Sequence, residues 1–169
     1  MYIELFPLEK AVVDGKVISL GMEKSVVEEL LGTGEQFDNR SFYFESNFCI
    51  EYDQDEKVAF IEVTCDPNGL VTPIIYGADA AKSDAEQILQ LLKEKNGGEI
   101  DDSENGYSYG FYQLSVGIYR EMTPDDYNEL VDEMKANGVP IENNPDLQAD
   151  FWKATHWATI GIGIKNYYR

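Results

Sequence analysis

Apolar residues in this chain arrive in short runs broken by turn-forming residues, a spacing that limits it to short strands and short helices. No run approaches the roughly 18 apolar residues that a bilayer-spanning helix needs, so no membrane partner is predicted. Within residues 9–20, Asp14-Gly15 lies between two apolar stretches. Both positions of a tight hairpin turn want positive φ, which Asp and Gly tolerate, so a hairpin is predicted there. Over residues 21–32, Val26, Val27, Leu30 and Leu31 share one helical face and Gly32 supplies a stop. A helix of about two turns must be held by packing rather than by propensity. Strands are predicted next at Ser41–Glu45, Phe48–Tyr52 and Val58–Thr64, with turns at Asn47 and at Asp53–Glu56.

The second half follows the same order. Ser83 is placed to cap a helix at the Glu86 amide, and that helix carries Ile88, Leu89, Leu91 and Leu92 to a stop at Asn96-Gly97-Gly98. Strands at Tyr107–Phe111 and Leu114–Tyr119 follow. Aligning Ser41-Phe42-Tyr43-Phe44 with Ser108-Tyr109-Gly110-Phe111 brings Ile50-Glu51-Tyr52 close to Gly117-Ile118-Tyr119, which suggests an internal duplication. A third helix is capped by Thr123, opens with Pro124 and ends at Gly138. Tyr127, Leu130, Val131 and Met134 form its apolar side, and Asp125, Asp126, Glu129, Asp132 and Glu133 lie opposite. Asn144-Pro145 opens a short helix through Leu147, Phe151 and Trp152, and residues 157–164 read as a final strand.

These elements predict a single α+β domain over residues 1–169, an antiparallel sheet or sheets with short helices packed on one face. A tandem helix-plus-meander repeat is expected at about 17–64 and 83–120, with an acidic helix and C-terminal strand in 121–169. Val17-Ile18-Ser19-Leu20-Gly21-Met22 followed by Val26-Val27-Glu28-Glu29-Leu30-Leu31-Gly32 resembles the opening of the repeat in the β-lactamase inhibitory protein fold. The outer-membrane assembly lipoproteins of the SmpA/OmlA type share that pattern. The aromatic strand Phe42-Tyr43-Phe44 and the strand ending Ile61-Glu62-Val63 follow as the repeat would have them. The resemblance implies a fold used for gripping other proteins, and it carries over no functional residues.

Catalytic signatures are sparse. His156 is the one histidine, beside Trp157 near the end of the last helix, where the helix C-terminus favours the imidazolium form and a packing role is expected. Gly161-x-Gly163 is half a phosphate-binding fingerprint with no helix after it. Asp101-Asp102-Ser103-Glu104-Asn105-Gly106 matches the first half of a calcium loop, but Tyr112 stands where the bidentate Glu belongs. Cys49 and Cys65 lack metal-ligand spacing and read as free structural thiols. No catalytic residue, cofactor or metal ligand is assigned. An alternative reading is a small-molecule-binding protein or enzyme that gathers His156 with carboxylates; another is an acidic scaffold with no dedicated partner.

Charge is the remaining signal: 32 acids against 13 bases, a net −19. Such a field excludes direct binding of nucleic-acid phosphates. The 43% apolar and 12% aromatic content separates the chain from disordered acidic segments. Residues 121–150 hold nine acids and one base, whereas residues 151–169 hold three bases and no acid. A dense negative face accelerates association with a basic partner. The expected partner-binding residues are Asp125, Glu129, Asp132 and Glu133, with Glu51, Asp53 and Asp55. Tyr107, Tyr109, Tyr112, Tyr119, Trp152, Tyr167 and Tyr168 supply side chains of the kind that anchor interfaces. The expectation is a non-enzymatic acidic module that binds a basic protein, similar in character to bacterial toxin-immunity proteins. Residues 1–7 lack signal-peptide features, so a cytoplasmic location is expected.

Overall fold

The computed structural model describes residues 1–169, and the order of its elements repeats. After a first strand, β1 (Tyr2–Phe6), the hairpin β2 (Lys10–Val13) and β3 (Lys16–Ser19) leads into helix α1 (Lys24–Leu31). A four-strand meander follows: β4 (Glu35–Phe37), β5 (Arg40–Tyr43), β6 (Phe48–Tyr52) and β7 (Val58–Thr64). A second hairpin, β8 (Thr72–Ile75) and β9 (Ala78–Asp79), leads into α2 (Ala85–Asn96). The second meander is β10 (Ile100–Asp101), β11 (Ser108–Phe111), β12 (Val116–Tyr119) and β13 (Thr159–Gly163). Helices α3 (Pro124–Ala136) and α4 (Pro145–Thr155) interrupt it between β12 and β13.

Both sheets read alike from either end. The eight-stranded sheet runs β10-β11-β12-β13-β7-β6-β5-β4, so the two meanders meet at the antiparallel pair β13–β7. The five-stranded sheet runs β3-β2-β1-β8-β9, with a hairpin on each side of β1. Every strand pairing is antiparallel except β1–β8. The α+β tandem helix-and-meander architecture therefore extends further than the apolar pattern indicates, because each unit also carries its own leading hairpin. The two hairpins turn alike: Asp14 and Gly15 have φ of 49° and 77°, Tyr76 and Gly77 of 49° and 80°. Tyr76 is not a turn residue by type, which hides the second hairpin from a reading of turn chemistry.

Register corrects the internal alignment. Four-residue loops join Tyr43 to Phe48 and Phe111 to Val116, so Tyr43 corresponds to Phe111 and Ile50 to Ile118. Ile61 and Val63 correspond in turn to Ile160 and Ile162. Pairing Phe44 with Phe111 is displaced by one residue, and in a strand that slip exchanges inside for outside. The paired serines mislead, because Ser41 is buried on the core face and its counterpart is Tyr109 rather than Ser108.

One apolar cluster fills the space among the five-stranded sheet, α1, α2 and one face of the eight-stranded sheet. Ile3, Leu5, Ala11 and Val13 meet Ile50, Ile61, Ile118 and Ile160 in it. In α1 only Val27 is buried, while Val26 is 39% exposed, so the helix contacts the core through a narrower stripe than its four apolar residues indicate. The cap of α2 is Asp84, whose carboxylate accepts the Glu86 amide at 2.9 Å. Ser83 lies one residue before the cap, its amide closing the preceding turn onto the Asp79 carbonyl. Helix α3 has the expected Thr123 cap and Pro124 start but buries no residue. It packs on α4, with Tyr127 edge-on to Phe151 at 5.4 Å, rather than on the core with the other helices.

Trp157 is the largest fully buried side chain. Its Nε1 donates to the Ala85 carbonyl at 2.9 Å, and Tyr109 meets it edge-on at 5.8 Å. Arg120, itself buried, lays its guanidinium over the indole at 4.9 Å. Trp157→Ala is expected to cost about 3–5 kcal/mol of unfolding free energy, from a cavity and an orphaned carbonyl. Urea denaturation checks this; a loss below about 1 kcal/mol would show that the corner is not a cornerstone of the core.

Candidate functional site

Helix α3 carries the acidic face. Its first turn is built by a reciprocal cap: the Thr123 amide and hydroxyl donate to Asp126 Oδ2 at 2.7 and 2.6 Å, and the Asp126 amide donates back to Thr123 Oγ1. These bonds, chiefly the Thr123 hydroxyl, hold the Asp126 carboxyl below its ordinary range. Asp126 is therefore used locally and drops out of the free acidic face. Asp125, Glu129, Asp132 and Glu133 are all exposed, with Asp132 paired only to Lys135 at 3.6 Å.

The other three acids sit elsewhere. Glu51 on β6 receives Arg40 Nη2 at 2.6 Å and the Tyr167 hydroxyl at 3.0 Å, and its side chain is only 18% exposed. Asp53 accepts the amides of Asp55 and Lys57 at 2.9 Å and closes the β6–β7 turn, with Asp55 exposed on its tip. That turn precedes Val58, whereas α3 and α4 flank Tyr119 and Thr159, and Thr159 pairs with Thr64 at the far end of β7. Seven residues of strand put the two groups about 20 Å apart. The α3–α4 insertion thus stands in the second unit where the Asp53–Lys57 turn stands in the first.

Of the seven aromatics singled out as anchors, only Tyr119 (46%) and Trp152 (37%) are exposed. Phe151, 52% exposed on α4, joins them, although its neighbours give it the look of a helix core position. Tyr109 packs on Trp157, and Tyr167 stacks on Phe60 at 4.6 Å.

His156 borders an open cleft of about 690 Å³ shared with Asp66, Glu121, Trp152, Lys153 and Trp157. Its ring stacks on Trp152 at 3.4 Å and 8°, with Nδ1 3.3 Å from the Trp152 carbonyl and 3.0 Å from Thr155 Oγ1. Burial pushes the imidazole pKa down and outweighs the carbonyl at the helix end, so the ring is neutral near pH 7, the reverse of the helix-terminus expectation. The cleft's carboxylates are occupied: Glu121 meets Lys153 at 3.5 Å, and Asp66 accepts the Asn68 amide at 2.9 Å.

The remaining motifs have structural roles. Asp101 accepts the Ser103 amide at 3.1 Å, and Asn105 and Gly106 take positive φ to enter β11. No group of three or more His, Cys, Asp or Glu side chains is placed to hold a metal. Gly161 and Gly163 lie within β13 under Phe60 and Tyr167. Cys49 on β6 and Cys65 just after β7 are free and buried, and burial pushes the Cys49 thiol up to about 11 and Cys65 higher still. No helix is long and apolar enough to cross a membrane. No protein-family model, curated protein or solved structure matches the chain.

Two outcomes test this geometry. The His156 ring proton, followed by NMR, is expected to titrate below the ordinary value of 6.5 and to move up toward it in Trp152→Ala, which removes the stacked indole. Between the folded and unfolded pKa values the unfolded chain binds more protons, so this group's contribution to stability falls as pH drops through that window. A midpoint at or above 6.5 in the parent protein would contradict the burial account. Separately, both thiols are expected to resist a thiol reagent in buffer and to react fully in urea; rapid labelling of the native chain would show that their burial is not maintained.

Proposed function

We propose that the chain is a non-enzymatic acidic protein-binding module, an immunity or inhibitor protein of the bacterial cytoplasm that neutralises a basic toxin or effector domain. The observation that carries the reading is α3. No side chain of this 13-residue helix is fully buried, its apolar side Tyr127, Leu130, Val131 and Met134 being only half-covered, yet it presents Asp125, Glu129, Asp132 and Glu133 to solvent. Phe151 and Trp152 on the adjoining α4 add exposed apolar surface. Such acids steer a basic partner, and desolvated aromatics beside them supply affinity. Asp53 and Asp55, at the other end of β7, form a second patch that a large partner would have to reach separately, and Glu51 acts through its ion pair rather than as a free charge. The resemblance to the β-lactamase inhibitory protein repeat belongs to the same proposal.

A second reading draws support from the His156 cleft, whose volume falls in the range of small-molecule sites. It assigns a small-molecule ligand, or the substrate of an enzyme, that stacks beside Trp152 and His156 with Asp66 and Glu121 close by.

Affinity capture from lysate of the source organism, at low and high salt, separates these readings. The parent chain is expected to retain one stoichiometric basic protein that salt releases, and D125K/E129K/D132K/E133K to lose it with a slower association rate. Capture that is unchanged by the four substitutions would remove the α3 face from the interface.

A further inference from the structure

On the face of the eight-stranded sheet turned away from the core, the second half has glycines at positions where the first half carries side chains, and aromatic rings from elsewhere lie over them. Gly110, Gly117 and Gly161 lie side by side across β11, β12 and β13, in register with Glu62 on β7, Cys49 on β6 and Phe42 on β5. By the pseudo-two-fold relation of the units, these glycines occupy the positions of Phe42, Cys49 and Glu62. Tyr168 lies over the first two glycines: a Cβ at Gly117 would overlap its hydroxyl, and one at Gly161 would overlap the Phe60 ring. Beside it remains a cleft of about 280 Å³, floored by Gly110 and Gly117, walled by Phe60, Tyr119 and Tyr168, with Glu62 and Asp101 among its linings.

The chemistry of the lining selects the occupant. Glu62 is half-buried and forms no ion pair, because Arg40 directs both Nε and Nη2 to Glu51. Burial raises the Glu62 carboxyl above its ordinary range; the charge of nearby Arg40, and then the Thr159 hydroxyl, offset this only in part. Asp101 keeps its charge, stabilised by Ser103. A desolvated carboxylate among aromatic faces is complementary to a cation that is flat, weakly hydrated and able to donate two parallel hydrogen bonds. The cleft is smaller than sites for drug-sized ligands and matches a single side chain.

We propose that this glycine-floored cleft is a recognition pocket for an arginine side chain of the basic partner, with the guanidinium on Glu62 and its plane against the aromatic wall. The proposal rests on the basic-partner reading but uses a different surface from α3, so each can fail alone.

The test uses the full chain, isotopically labelled, and N-acetyl-arginine methylamide as probe, with the citrulline analogue as its uncharged, similarly shaped control. Saturable amide shifts are expected at Gly110, Gly117, Thr159 and Gly161, with a Kd in the millimolar range, and citrulline should bind roughly tenfold more weakly or not at all. Glu62→Gln should weaken the arginine probe about fivefold or more while leaving the spectrum otherwise folded. Asp101→Asn, at the rim, gives a second variant that spares the core and should weaken it less. D125K/E129K/D132K/E133K should bind the probe like the parent chain. Shifts that are absent, equal for citrulline, unaffected by Glu62→Gln or confined to α3 would overturn the pocket, and only the lysate experiment bears on the α3 face.

Discussion

The stack of Arg120 on Trp157 is the interaction on which the rest of the architecture depends. Trp157 stands where α4 hands the chain to β13, and its indole nitrogen is bonded to the first residue of α2. Arg120 stands where β12 hands the chain to α3, and its guanidinium donates to Gly106 ahead of β11 and to Ala154 at the end of α4. Departure and return of the inserted helix pair are thereby clamped to one buried point. The guanidinium has no carboxylate partner within ion-pair distance and is satisfied by two carbonyls and a ring face. In a chain of net charge −19 the surrounding field favours that buried cation. Because no side chain of α3 is fully buried, its placement depends on this clamp and on α4.

Pseudo-symmetry explains where the molecule is free to differ. Tyr43 and Phe111, Ile50 and Ile118, and Ile61 and Ile160 face the same apolar cluster from equivalent positions, so each pair must present similar bulk. Close packing leaves little room for divergence there. Outward positions carry no such constraint. The two large departures both fall in the second unit: α3–α4 in place of a short turn, and glycines in place of Phe42, Cys49 and Glu62. The first projects free carboxylates; the second opens space over the sheet that Tyr167 and Tyr168 partly fill.

Electrostatic character is similarly divided between number and availability. The chain has acids in excess everywhere, but Glu51, Asp126, Asp66 and Glu121 are each bound to a donor or cation, while the four acids of α3 face solvent. Arg40 and Lys153 partly neutralise Glu51 and Glu121, as Lys135 does Asp132, whereas Asp125, Glu129 and Glu133 have no cation partner; salt screens their field over about 10 Å. Free and committed carboxylates look alike in the composition.

The local elements were legible in the residues. Apolar runs bounded by turn residues locate Phe48–Tyr52 and Val58–Thr64 to the residue, Asp14-Gly15 marks its hairpin, and Thr123-Pro124 marks the start of α3. Each signal acts within about four residues, through backbone φ, side-chain alternation or a cap, so it is present in any short stretch of chain. Strand β1 was not among the predicted elements; its sheet partner β8 lies some seventy residues away. Register and the corrected alignment of the two units depend on such distant partners. So does the fate of individual charges: Glu51 meets Tyr167 across 116 residues. The sequence by itself determined the kinds of element and the sign of the field, because both follow from near neighbours and composition. Folding alone decided which carboxylates stay free and where aromatic rings lie over the sheet, because desolvation and close approach exist only between segments that the chain brings together.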